Sequence, residues 1–240
     1  MTSIQQEPLG SPASESANGE REAERRRYGL LLVTTLVSLA VQGTVAPSAG
    51  QQVVVSALSG ASLVLALRAA QLSRRLIRLA LALALVVVAV TIVRVTAGGI
   101  GDGAARAMNA ALVALGPPAV AIGILRELRS SAHVRLEAVM GVLSLYILLG
   151  MLFAFTFGAI DHFGGDPFFG AGQSASVAHC LYYSFVTLTT VGYGDFAART
   201  DLGHTLSNFE ALLGQIYLVT VVSLIVSNLG RPARRGQPPA

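Results

Sequence analysis

Long apolar runs, interrupted at intervals by arginine, set the pattern of this chain. Between Arg27 and Arg68 the one ionisable side chain is Tyr28. That run exceeds the ~20 apolar residues that cross a bilayer once. The stretch "APSAGQQ" from Ala46 supplies a turn in its middle, so it reads as two spans. The same test brackets a third span between Arg78 and Arg94 and a fourth between Arg106 and Arg126. A fifth lies between Glu137 and Asp161, and a sixth between Glu210 and Arg231. Leu- and Ala-rich segments could be buried helices of a large soluble protein, but six of them leave no polar elements to cover them. The pattern predicts an all-α membrane protein with six transmembrane helices.

Composition agrees. The chain is 53% hydrophobic and 12% charged, where a soluble domain carries about 25% charged residues. All 17 basic residues are arginine, and fourteen of them cluster at 21–27, 68–78, 126–135 and 231–235. Those clusters fall on alternate connections of a six-span chain. The positive-inside rule then makes that side the cytoplasm, with both termini there and the chain multi-pass in the cell (plasma) membrane. The net charge of +4 is accounted for by topology and calls for no nucleic-acid partner. Residues 1–27 read as a disordered cytoplasmic N-terminus, because Met1 to about Glu24 is rich in Ser, Gln, Glu, Gly and Pro. They do not read as a cleavable signal peptide, since no apolar stretch begins before Gly29. Residues 28–130 form a four-helix transmembrane unit, 131–230 a second unit, and 231–240 a cytoplasmic tail too short to fold. The lone cysteine, Cys180, excludes an internal disulfide.

The connection between spans five and six carries the chemistry. After a Gly-, Phe- and Pro-rich stretch from Asp161 to Gln173, Ser174 and Ser176 offer N-cap oxygens to a short helix, "VAHCLYYSFVTL". Three turns cannot cross a bilayer, so the helix is expected to be re-entrant, entering from the outer side and stopping halfway. "TTVGYGD" comes next. It is not a phosphate-binding loop, for no third glycine completes G-x-G-x-x-G. Irregular backbone at membrane depth is tolerated only where protein or an aqueous cavity surrounds it. A dehydrated monovalent cation needs several oxygen ligands at once. Glycines at alternating positions, Gly192 and Gly194, let consecutive carbonyls point one way. Val191 and Tyr193 then brace the strand from behind, and Thr190 can add its hydroxyl.

Over Thr190, Val191, Gly192, Tyr193, Gly194 and Asp195 the sequence resembles the potassium-channel signature letter for letter. The resemblance implies a selectivity filter between helices five and six. Backbone carbonyls of Thr190, Val191, Gly192 and Tyr193 would hold the permeant K+, and the Gly194 carbonyl would face the outer mouth. Asp195 would bind back behind the filter. Tyr182 and Tyr183 stand where many members carry an aromatic cuff, and the helix end near Thr189 would aim its dipole at the central cavity. Gly214, nineteen residues after Asp195, matches the flexible inner-helix glycine, with a close helix contact as the rival reading. Leu218, Val222 and Val226 share one stripe and would line the inner pore. Glu210, one turn before Gly214, is an ionisable group at filter depth and is expected to support the filter through a hydrogen bond to the short helix. Tyr183, Ser184 and Thr187 are its candidate partners. One filter strand cannot surround an ion, so the implied assembly is a homotetramer in membrane lipid.

The resemblance to voltage-gated potassium channels weakens in the first half. Arg106 starts span four and Arg126 and Arg129 end it, nothing charged lies between, and Pro117-Pro118 breaks it. Spans one to four therefore read as a degenerate sensor-like or packing unit without strong voltage gating. Arg94 would snorkel to the outer surface. His162 and His204 flank the outer mouth and are candidates for sensing external pH, against the ordinary reading as surface histidines. No cofactor, small-molecule substrate or catalytic constellation is evident, so the chain is not expected to be an enzyme. Two other classes remain: a potassium-transporter component, which would carry four filter segments with one glycine each, and a non-conducting channel-like subunit.

Overall fold

Apolar segments of this length fold as helices because a helix satisfies its backbone N–H and C=O groups within itself. The computed structural model describes residues 12–44, 48–96, 102–130, 136–170 and 172–229. Among these residues it has eight helices and no strand: α1 (Pro12–Thr44), α2 (Ala49–Ala69), α3 (Arg74–Thr96), α4 (Asp102–Ala114), α5 (Gly116–Ser130), α6 (Leu136–Phe163), α7 (Val177–Leu188) and α8 (Asp201–Leu229). Among the described residues, three stretches are long and apolar enough to cross a membrane: Gly50–Ala69, Arg74–Thr96 and Val139–Phe163.

Two features depart from, or sharpen, the sequence expectation. The N-terminal segment, expected to be disordered to residue 27, is helical from Pro12 onward. Its second half, "EREAERRR", consists of strong helix formers, and a helix already nucleated by the apolar run extends through them at little cost. The fourth predicted span is two helices. α4 ends at Ala114 and α5 starts at Gly116, so Pro117 and Pro118 fall in a first turn, where a missing N–H breaks no hydrogen bond. The 231–240 tail and the side chains of Arg106, Arg126 and Arg129 lie outside the described residues.

α6 is the hub. It packs against α1, α4, α5, α7 and α8, while α2 gathers α1, α3, α4 and α5. Leu31, Leu63, Leu112, Leu148, Met151 and Phe157 are fully buried between them. α3 lies at the periphery and turns Leu79, Leu85, Val86 and Val93 outward. A contiguous apolar face of that kind is stable only against lipid or another protein surface. Arg94, on the last turn of α3, is also exposed.

The link from α6 to α7 is more ordered than its composition suggests. Asp161 Oδ1 accepts a hydrogen bond from the Phe168 N–H at 2.9 Å. Phe168 and Phe169 are both fully buried, and the Phe168 ring stacks on Phe157 with centroids 4.8 Å apart. Phe169 and Ala198 form an isolated antiparallel bridge, and the Arg199 N–H donates to the Phe168 carbonyl at 2.8 Å. The chain beyond the glycine loop is thereby fastened to the chain that precedes α7.

Candidate functional site: the glycine loop and its supports

Serine at the start and threonine at the end delimit α7. Ser176 is the N-cap, its side chain accepting from the His179 N–H at 3.1 Å, and Thr189 is the C-cap. His179 Nδ1 lies 2.7 Å from the Ser174 carbonyl and closes the same end. The loop then hangs from the last turn of the helix. Thr190 N–H donates to the Thr187 carbonyl at 2.9 Å. Val191 N–H and Gly192 N–H both donate to the Val186 carbonyl, at 3.0 and 3.3 Å. Among the described residues, none of the carbonyls from Thr190 to Gly194 accepts a hydrogen bond.

The backbone explains the glycines. φ is +59° at Thr190, +57° at Gly192 and +79° at Gly194, while Val191 and Tyr193 between them are not in that region. Alternation of hand from residue to residue turns successive carbonyls towards one side, where a pleated strand would alternate them. Left-handed backbone carries no Cβ penalty at glycine. Threonine bears that penalty at 190, about 1–2 kcal/mol, and two contacts hold it there. One is its own N–H bond to Thr187. The other comes from α8, where Gln215 Nε2 donates to Thr190 Oγ1 at 2.9 Å.

The two tyrosines of α7 take different directions, since adjacent helical residues point about 100° apart. Tyr182 faces the loop, with its ring 6.4 Å from Tyr193 and nearly parallel at 8°. The Asp195 side chain lies near the Tyr182 hydroxyl. Gln173 Nε2 donates to the Asp195 carbonyl at 2.7 Å. Tyr183 turns away into the Phe157, Phe168 and Phe169 cluster. Its hydroxyl lies 2.7 Å from Ser207 Oγ, which itself donates to the Gly203 carbonyl at 2.8 Å. A serine hydroxyl has one hydrogen, so Tyr183 is the donor of that pair and fastens α7 to α8. Thr189 Oγ1 donates to the Phe185 carbonyl at 2.6 Å, sealing the helix end.

On α8, Glu210 is fully buried and contacts Ser184 Oγ, one of its three expected partners. One turn later, a Cβ built on Gly214 would lie 2.1 Å from the Leu188 carbonyl oxygen. The same carbonyl accepts from the Tyr146 hydroxyl at 3.3 Å. Gly214 is therefore the point where the α8 backbone meets the end of α7. Leu218 is partly exposed, and the side chains of Val222 and Val226 lie outside the described residues. His204 Nε2 lies 2.6 Å from the Ala198 carbonyl, whereas His162 is exposed against Phe163. Sequence reasoning missed Gln173, Gln215, Tyr146 and Gly150. A polar residue inside the apolar stretch "ALLGQIYL" was the available signal for Gln215.

Known proteins share this arrangement in sequence. Residues 141–231, from α6 through the loop to the end of α8, match the ion channel family. The A-type voltage-gated potassium channel KCND3 of Rattus norvegicus is 28% identical over 92 residues, as is that of Homo sapiens. The calcium-activated potassium channel slowpoke of Drosophila melanogaster is 29% identical over 113 residues. Over this segment the chain is similar to potassium channels. The aligned stretch covers 38% of this chain and 14% of the A-type channels, and 47% of this chain and 9% of slowpoke. The similarity is confined to the α6–α8 segment, the one that builds the loop and its supports, and the chain spans only a small part of the length of these relatives.

Proposed function

We propose that this chain conducts potassium ions passively across the cell membrane as a homotetramer, with the pore on the fourfold axis. The observation that carries the reading is the loop from Thr190 to Gly194: the amides of Thr190, Val191 and Gly192 are tied back to α7, and the loop carbonyls accept nothing among the described residues. Oxygens left bare in a row suit a dehydrated cation. One chain supplies one arc of such a site, and the motif occurs once, so four copies complete the ring. The outer face of α8 supports this, because Phe209, Leu212, Ile216 and Val219 are all more than half exposed in a single chain. Tyr193 and Val191 are exposed beside them.

In this reading α1, α2, α3, the α4–α5 pair, α6 and α8 are the six spans. α7, about 18 Å long against about 30 Å of hydrocarbon, is the re-entrant pore helix. The arginine-rich connections and both termini face the cytoplasm. Thr190, Val191, Gly192 and Tyr193 hold K+ as the transported substrate, with Asp195 and Tyr182 bracing the filter. The C-terminal end of α7 offers partial negative charge to an ion in the cavity. Leu218, Val222 and Val226 line the inner vestibule, and Gly214 is where α8 bends. The activity is conduction rather than catalysis.

Liposomes carrying the purified protein test the proposal. A potassium gradient is expected to drive flux that barium blocks, with sodium flux far smaller. Equal potassium and sodium flux would refute it. Gating is constrained by the same arrangement. Each charge that crosses the membrane field contributes about 2.3 kcal/mol per 100 mV, and nothing charged lies between Arg106 and Arg126. Replacing Arg126 and Arg129 by glutamine is expected to leave the conductance–voltage curve nearly unchanged. A shift equivalent to several elementary charges per tetramer would contradict the sensor-free reading.

A further inference from the structure

Glu210 sits on α8, fully buried, at the junction of three helices. Its Oε1 contacts Ser184 Oγ on α7, and Ser184 Oγ lies 2.7 Å from the Gly150 carbonyl oxygen on α6. Both contacts are within hydrogen-bonding distance, and two oxygens that share no hydrogen repel at such separations. A serine hydroxyl carries one hydrogen, and a carbonyl oxygen can only accept. If Ser184 donates to Glu210, the Gly150 contact has no hydrogen. If Ser184 donates to Gly150, the Glu210 contact needs a hydrogen of its own. Glu210 is the one group that can bring it.

A second observation is independent of that count. Glu210 Oε2 is buried with no hydrogen-bond partner among the described residues. A carboxylate would spread its charge onto this bare oxygen, which is far more costly than burying a neutral carbonyl. The ionisable groups that face the site do not offset a charge. Tyr146 on α6 is the titratable group beside Glu210, and Tyr217 on α8 packs against Tyr146 with ring centroids 5.3 Å apart. Tyr183 on α7 is committed to Ser207. All are neutral phenols, and no salt bridge reaches Glu210 among the described residues.

We propose that Glu210 is held as the neutral carboxylic acid and acts as a positioning residue behind the glycine loop. Its proton goes to Ser184 Oγ, and the Ser184 proton goes to the Gly150 carbonyl. The relay ties α8, α7 and α6 together at Ser184, in the turn of α7 that carries Val186 and leads into Leu188. Val186 carries the N–H bonds of Val191 and Gly192, so what fixes this turn of α7 fixes the loop. Ionisation at alkaline pH removes one proton from the relay and leaves one of its two contacts without a hydrogen. Glutamine at 210 retains a donor towards Ser184 at every pH, and alanine removes the donor while leaving Ser184 its bond to the Gly150 carbonyl.

Infrared difference spectroscopy on the full-length protein in lipid reads the protonation state directly. The carbonyl stretch of an un-ionised carboxylic acid is expected at neutral pH and is expected to be missing in Glu210→Gln. Carboxylate bands alone at position 210 would overturn the proposal. Should that variant fail to assemble, Ser184→Ala decides: the acid band is expected to move to that of a free acid, and an unmoved spectrum overturns the relay. This arm holds whatever the chain conducts. A flux arm rests on the channel reading. Glu210→Ala is expected to lose about tenfold of the potassium flux, in keeping with one unsatisfied buried polar group. Glu210→Gln is expected to keep that flux and to lose the alkaline fall seen in the unaltered protein. Alanine equal to the unaltered protein, or glutamine as impaired as alanine, would overturn the positioning role.

Discussion

Replacing Gly194 by alanine is expected to abolish potassium-selective flux while leaving the helical content of the protein intact. The residue has φ +79°, and no atom lies within 4 Å of where its Cβ would be. Space is thus not the obstacle; the backbone is. An L-residue in this conformation costs about 1–2 kcal/mol, so in the proposed ring of four copies it would add roughly 4–8 kcal/mol against the required geometry. The alanine at 194 would relax towards negative φ, and the carbonyls of residues 193 and 194 would turn away from their neighbours. Gly192 at φ +57° carries the same expectation. Flux assays with circular dichroism in parallel check it. A Gly194→Ala protein that still discriminates potassium from sodium would mean that the alternating backbone is not the source of selectivity.

Alanine at Gly214 acts by a different route and is expected to damage assembly itself. Its Cβ would stand 2.1 Å from the Leu188 carbonyl oxygen and 3.0 Å from the carbonyl carbon, both backbone atoms that cannot rotate aside. α8 must then back away from α7, which strains the Gln215–Thr190 and Glu210–Ser184 contacts on either side. Overpacking of this kind costs about 1–3 kcal/mol per chain. Thermal unfolding of the detergent-solubilised protein is the measurement, with a lowered transition and loss of the proposed tetramer expected. If Gly214 serves only as a bend, alanine would leave the transition where it was and alter opening alone.

The residues of the loop could be read from sequence because their chemistry is local. A serine cap, three apolar turns and two alternating glycines define α7 and the loop at its end without any help from the rest of the fold. α7 accordingly runs from Val177 to Leu188, the stretch its capping residues mark. Supports that come from distant positions were harder to see. Gln173 reaches Asp195 across 22 residues and Gln215 reaches Thr190 across 25, and no periodicity marks either. Tyr182 and Tyr183 look equivalent as neighbours, yet the helix sends one to the loop and the other to Ser207. Glu210 lay between these extremes. Its burial beside Ser184 was legible from its depth in the span, whereas the further contact to Gly150 needed the fold. At the N-terminus, polar composition suggested disorder, but continuity with an apolar helix proved stronger from Pro12 on.

The central claim is that the carbonyls of Thr190 to Gly194, supplied by four chains, select potassium. A bi-ionic recording tests it most directly: the full-length protein in a planar bilayer, potassium on one side and sodium on the other. The reversal potential is expected to be displaced strongly in the direction that potassium permeation alone would set, collapsing towards zero in Gly194→Ala. A reversal potential near zero with the unaltered chain would contradict the claim.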